Sequence, residues 1–74
     1  MREKLMNILT EQKPEIQFET ETELVDRGIL DSFDVVMLTG DIMDTFGIQL
    51  EPEDVVPENF NSVEAMIKLI EKRK

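Results

Sequence analysis

The sequence contains no cysteine, histidine, tryptophan or tyrosine, and only three glycines and three prolines in 74 residues. Each absence excludes something. Without histidine and cysteine the chain lacks the commonest general base, the commonest soft metal ligands and a thiol nucleophile, so a self-sufficient enzyme is not expected. No disulfide can form, and a small core must stand on packing alone, as it does in reducing compartments. No apolar run approaches the ~18 to 20 residues needed to cross a bilayer, and the charged opening Met1-Arg2-Glu3-Lys4 is unlike a signal-peptide core. With 41% apolar residues, the length supports a single domain over residues 1–74 with one small core and little room for a buried catalytic cleft. A cytoplasmic protein is the expectation.

Basic residues are also scarce: 8 Lys and Arg face 17 Asp and Glu, for a net charge of −9. The imbalance is concentrated. Residues 14–67 carry fourteen acids and one base, Arg27, whereas residues 68–74 carry four bases and one acid. An anionic middle repels phosphate backbones and anionic headgroups and attracts basic protein patches, so neither nucleic acid nor membrane insertion is expected. The same acids also keep a small domain soluble without any partner, and charge alone does not decide between these roles.

Leu5, Ile8 and Leu9 recur at helical spacing between Arg2 and Gln12, and Pro14 should end that helix. Residues 14–30 show no sustained period and read as a long loop pinned by Ile16, Phe18, Leu24, Val25, Ile29 and Leu30. A loop of that length in a compact domain counts against the assignment unless the loop is itself functional. A second helix of about four turns begins near Ser32, with Asp31 or Ser32 as N-cap and Gly47 as the left-handed C-terminal residue. Its Val35, Leu38, Thr39, Ile42 and Phe46 fall on one face. Pro52 suits the first turn of a short helix over Glu53 to Val56, stopped by Pro57. Asn61-Ser62-Val63-Glu64 has the form of a capping box with Asn61 as N-cap, opening a last helix that presents Val63, Met66, Ile67 and Ile70 to the core. The expected class is all-α: three longer helices and one short one in a four-helix bundle. Glu51, Glu53 and Asp54 cluster, but without the EF-hand spacing, and no structural metal is expected.

One position joins a reactive side chain to a favourable field. Ser32 follows Asp31 at the exit of the long loop and the entrance of the second helix, where a phosphodiester on its oxygen would meet unpaired N–H groups and the positive end of the helix dipole. The plain alternative is that Ser32 only caps the helix.

The stretch Gly28-Ile29-Leu30-Asp31-Ser32-Phe33-Asp34-Val35-Val36 resembles the phosphopantetheine attachment site of the acyl carrier protein family, whose common form is Asp-Ser-Leu ahead of a helix. The likeness spans residues 3 to 70: the preceding apolar helix, Leu24 and Val25 in the loop, Phe46-Gly47-Ile48, Glu51-Pro52, and a last helix opened by Asn61-Ser62-Val63. The resemblance implies an acyl-carrier-like bundle that is not itself an enzyme. By it, Ser32 would take 4'-phosphopantetheine from coenzyme A through a separate phosphopantetheinyl transferase, which Asp31 helps to engage. An adenylating ligase or acyltransferase would then load a carboxylic or amino acid as a thioester, and the carrier, as a monomer, would deliver it to a downstream acyl-accepting enzyme. Asp34 either shares in recognition or simply complements the helix dipole.

The second helix carries a further apolar set, Phe33, Val36, Met37 and Met43, that cannot all share the face of Leu38 and Ile42. With Asp34, Asp41 and Asp44 around them they form the expected partner-binding face, Val36 and Met37 foremost. Met37 and Met43 stand where this family often has acids, which points away from a fatty-acid synthase and toward a dedicated pathway. The Leu30-Asp31-Ser32-Phe33-Asp34 site and the Pro57-Glu58-Asn59-Phe60 segment are similar to stand-alone carriers paired with an adenylating ligase, D-alanyl carriers among them. The competing reading is an acidic helical interaction module, or a degenerate carrier, that is never modified.

Overall fold

The computed structural model describes all 74 residues. Four α-helices, α1 (Arg2–Gln12), α2 (Ser32–Phe46), α3 (Pro57–Phe60) and α4 (Val63–Arg73), are joined by a long loop before α2 and by a single 3-10 turn, Pro52–Asp54, before α3. There is no strand, and no helix is long and apolar enough to cross a membrane. The bundle is the expected one. Leu5 and Leu9 of α1, Val35, Leu38 and Ile42 of α2, Phe60 of α3, and Val63, Met66, Leu69 and Ile70 of α4 close one core. Thr39 and Phe46 lie half-buried at its margin, and the Thr39 hydroxyl donates to the Val35 carbonyl.

The loop between α1 and α2 owes its order to burial and to one side chain. Phe18, Leu24 and Leu30 enter the core, with Ile16, Val25 and Ile29 packed partly against it. Asn61, between α3 and α4, accepts from the Val25 and Asp26 amides at 2.9 and 3.0 Å through its Oδ1, and its carbonyl accepts from Leu24 N–H at 2.9 Å. A polar side chain so committed cannot also cap a helix. Ser62 is the N-cap of α4 instead, its Oγ accepting from Ala65 N–H at 3.1 Å, and Glu64 pairs with Arg2 of α1.

The segment before α3 also departs from expectation. The Pro52 helix stops after one 3-10 turn at Asp54, and Pro57 does not merely end it but opens α3 at the first helical position, where a missing N–H costs nothing. Gly47 closes α2 with φ of 65°, the left-handed conformation that favours glycine, and its N–H returns to the Met43 carbonyl. Gly40, inside α2, has open space where a Cβ would stand, so no neighbour demands glycine there.

Candidate functional site

The first turn of α2 is organised by two aspartates. Asp31 is the N-cap: its Oδ1 accepts from Asp34 N–H at 2.9 Å, while Asp34 Oδ2 accepts from Asp31 N–H at 3.2 Å. This reciprocal pair satisfies two of the amides that a helix start leaves open. Ser32 lies between its members as the first helical residue, so it is not the cap, and the plain reading of its hydroxyl fails. The side chain is exposed and has no hydrogen-bond partner in the chain, and the Ser32 and Phe33 amides donate to no protein acceptor. An oxygen nucleophile therefore stands uncommitted beside two free N–H groups at the positive end of a 15-residue helix. The only other serine, Ser62, is occupied as a cap.

Beside Ser32 opens an apolar cavity of about 210 Å³. Ser32, Val35 and Val36 of α2 form one wall, Val25 of the long loop another, and the Val55-Val56-Pro57 link the third. The sequence contained a sign of it in the β-branched pair before Pro57, but its closure depends on the 3-10 turn. Asp54 fixes that turn. Its carboxylate is 2% exposed, accepts from Glu51 N–H at 2.9 Å, and meets Arg73 Nη2 at 2.9 and 2.8 Å, with Lys72 Nζ at 3.8 Å. Asn59 Nδ2 donates to the Asp54 carbonyl at 2.8 Å. Neither Asp54 nor Arg73 was singled out as a pair by the sequence, since nothing local links them.

The expected partner face divides in two. Phe33, Val36 and Met37 are 70, 62 and 47% exposed, a cost that the core does not recover, and they adjoin Ser32. Asp41 and Asp44 are exposed further along the helix. Two residues differ from the expectation. Asp34 is only 8% exposed and turns toward α1, where Lys13 Nζ reaches its Oδ2 at 3.3 Å. Met43 is half-buried, its sulfur accepting from Leu50 N–H at 3.4 Å, because its position on α2 faces the link that follows Gly47. No group of three His, Cys, Asp or Glu side chains is close enough to hold a metal ion.

Both inward aspartates are held below the ordinary value of 3.8. For Asp34, burial opposes the charge, but the Asp31 N–H, the Lys13 ammonium and the Gln12 amide together outweigh it. For Asp54, the Arg73 hydrogen bond and the Glu51 N–H prevail over burial. A carboxyl whose value is lower folded than unfolded adds stability that is complete above the unfolded value and is lost as pH falls through the folded one. The urea midpoint is thus expected to hold steady from neutrality down to about pH 5 and to fall below about pH 4. Asp54→Asn, measured across the same range, should be less stable at neutral pH and lose less on acidification.

The family model described as the phosphopantetheine attachment site matches residues 3–70. Compared with curated proteins and with solved structures, the chain matches none. The matched family is non-catalytic and is defined by covalently attached 4'-phosphopantetheine. A free serine hydroxyl at a helix start, open amides beside it and an adjoining apolar cavity fit such a group. The helical bundle, the site geometry and the match agree, and the chain belongs to the phosphopantetheine-binding carrier family.

Proposed function

We propose that this protein carries acyl or aminoacyl groups on a 4'-phosphopantetheine arm joined to Ser32. The observation that supports Ser32 most directly is its hydroxyl, exposed and unbonded while Asp31 does the capping. A phosphopantetheinyl transferase joins the serine oxygen to the phosphate of coenzyme A, with adenosine bisphosphate leaving. Asp31, exposed beside it, is the residue for the transferase to engage. The arm supplies a terminal thiol that holds a carboxylic or amino acid as a thioester. The chain itself presents the site, keeps the load in solution and docks.

Phe33, Val36 and Met37, with Asp41 and Asp44 along the same helix, form the docking face. Its apolar centre and acidic margin suit a basic-rimmed hollow on each enzyme in turn, giving fast and exchangeable encounters. Met37, in place of an acid, favours a dedicated adenylating ligase over a fatty-acid synthase, and an amino acid such as D-alanine is within the cargo class. The protein works as a cytoplasmic monomer of one domain. An unmodified helical module, or a degenerate carrier, is the competing reading, and the uncommitted Ser32 hydroxyl favours the loaded carrier over it.

Loading from an acyl-coenzyme A in place of coenzyme A tests the reading. The protein is expected to gain the acylated arm in one step, and neutral hydroxylamine should then release the acyl group and leave a free thiol on a chain that has no cysteine. An acyl group that resists hydroxylamine, or a labelled thiol absent after release, would refute thioester carriage.

A further inference from the structure

Four interactions converge on Asp34, and two come from the end of α1, from Gln12 and from Lys13 just after it. Its carboxylate accepts from Asp31 N–H at 3.2 Å and pairs with Lys13 Nζ at 3.3 Å. Its N–H donates to Asp31 Oδ1 at 2.9 Å, and its carbonyl accepts from Gln12 Nε2 at 3.0 Å. The Gln12 amide is committed to this contact at a cost, since its Oε1 is buried with no hydrogen-bond partner. Lys13 is one of only three bases in the first 26 residues, and the end of α1 sets it against the start of α2.

These bonds bracket Ser32. Asp31 precedes it and Asp34 follows two residues later, both fixed, while the hydroxyl and N–H of Ser32 bond to nothing. A helix start with no outside support frays, and a serine on a frayed turn samples many positions. Leu30 and Val35 sink the chain on either side of Ser32 into the core, and the tie to Asp34 from Lys13 and Gln12 adds the polar restraint between this turn and the end of α1. With 8% of its surface exposed, Asp34 has little left to offer a partner.

We propose that Asp34, anchored to α1 by Lys13 and Gln12, is a positioning residue for attachment of the arm at Ser32, acting through the first turn of α2 and not by touching the transferase. This rests on Ser32 being the attachment site. The tie would then set how often the Ser32 oxygen is aligned for transfer once the two proteins have met, which is a term in kcat and not in KM.

The test is a double-mutant cycle on the whole chain, with Lys13→Met, Asp34→Asn, both together, and Lys13→Arg, read as kcat and KM for transfer from coenzyme A. Each single change is expected to lower kcat about three- to tenfold at unchanged KM, the pair to be no worse than the poorer single variant, and Lys13→Arg to recover most of the loss. Amide exchange at Asp34 should quicken in Lys13→Met while the α4 amides keep their protection, which separates local loosening from unfolding. A rise in KM with kcat unchanged would overturn the proposal in favour of direct contact, and additive losses or no loss would also overturn it. If the wild-type chain takes no arm at all, the Ser32 reading fails and this one with it. A loaded wild type with unaffected variants sinks only the positioning role.

Discussion

Phe60→Ala is expected to remove a large part of the stability of the fold. Phe60 is fully buried and is, with Phe18, one of the two phenylalanines of the core, yet it belongs to a helix of only four residues. A helix that short has no stability of its own, so α3 exists because Phe60 is drawn into the bundle against α4. Truncating a buried phenylalanine typically costs ~3 to 5 kcal/mol, and a domain of this length has roughly 4 to 11 kcal/mol to lose. In urea the midpoint should fall by about a quarter or more, with a substantial unfolded population in buffer if the native fold lies at the low end. Phe60→Leu, which keeps an apolar filling, should lose much less. An alanine variant within about 1 kcal/mol of wild type would mean that the core closes without α3. The consequence reaches the site, because Val56 and Pro57, which lead into this helix, form one wall of the cavity beside Ser32.

What could be read from the sequence follows a physical division. Helices α1, α2 and α4 are long enough for an apolar period to show, and α2 is bounded by legible signals, Gly47 after it and Asp31 or Ser32 before it, a choice that the structure makes for Asp31. Residues 52–60 are too short for a period, and each proline in them is equally compatible with ending one turn or starting the next. Asn61 and Ser62 are both competent N-caps. The choice falls to Ser62 because Asn61 is needed by the loop backbone at Val25 and Asp26, a contact between segments far apart in the chain. For the same reason the sequence placed Asp34 on the partner face: only the packing of α1 against α2 shows that Lys13 and Gln12 claim it. The half-burial of Met43 was equally illegible, since its exposure depends on the course of the link after Gly47.

The two serines are expected to respond oppositely to replacement. Ser32→Ala removes a hydroxyl that bonds to nothing in the chain, at an exposed first helical position where alanine is a good residue, so its stability should stay within about 0.5 kcal/mol of wild type. Ser62→Ala removes the acceptor for Ala65 N–H and should cost about 0.5 to 2 kcal/mol. Loading should follow the reverse order, because Ser62 opens α4 and takes no part in the first turn of α2. Loss of loading in Ser32→Ala then has no structural excuse. A cost of a cap at Ser32 would instead return the hydroxyl to a structural role and remove the reason for assigning it a chemical one.

The most direct measurement is the intact mass of the wild type, Ser32→Ala and Ser62→Ala after incubation with coenzyme A, magnesium and a broad-specificity phosphopantetheinyl transferase. A single phosphopantetheine is expected on the wild type and on Ser62→Ala, and none on Ser32→Ala, whose helical circular dichroism should match that of the wild type. A gain that survives in Ser32→Ala, or folded wild-type protein that several transferases leave unmodified, would contradict attachment at Ser32.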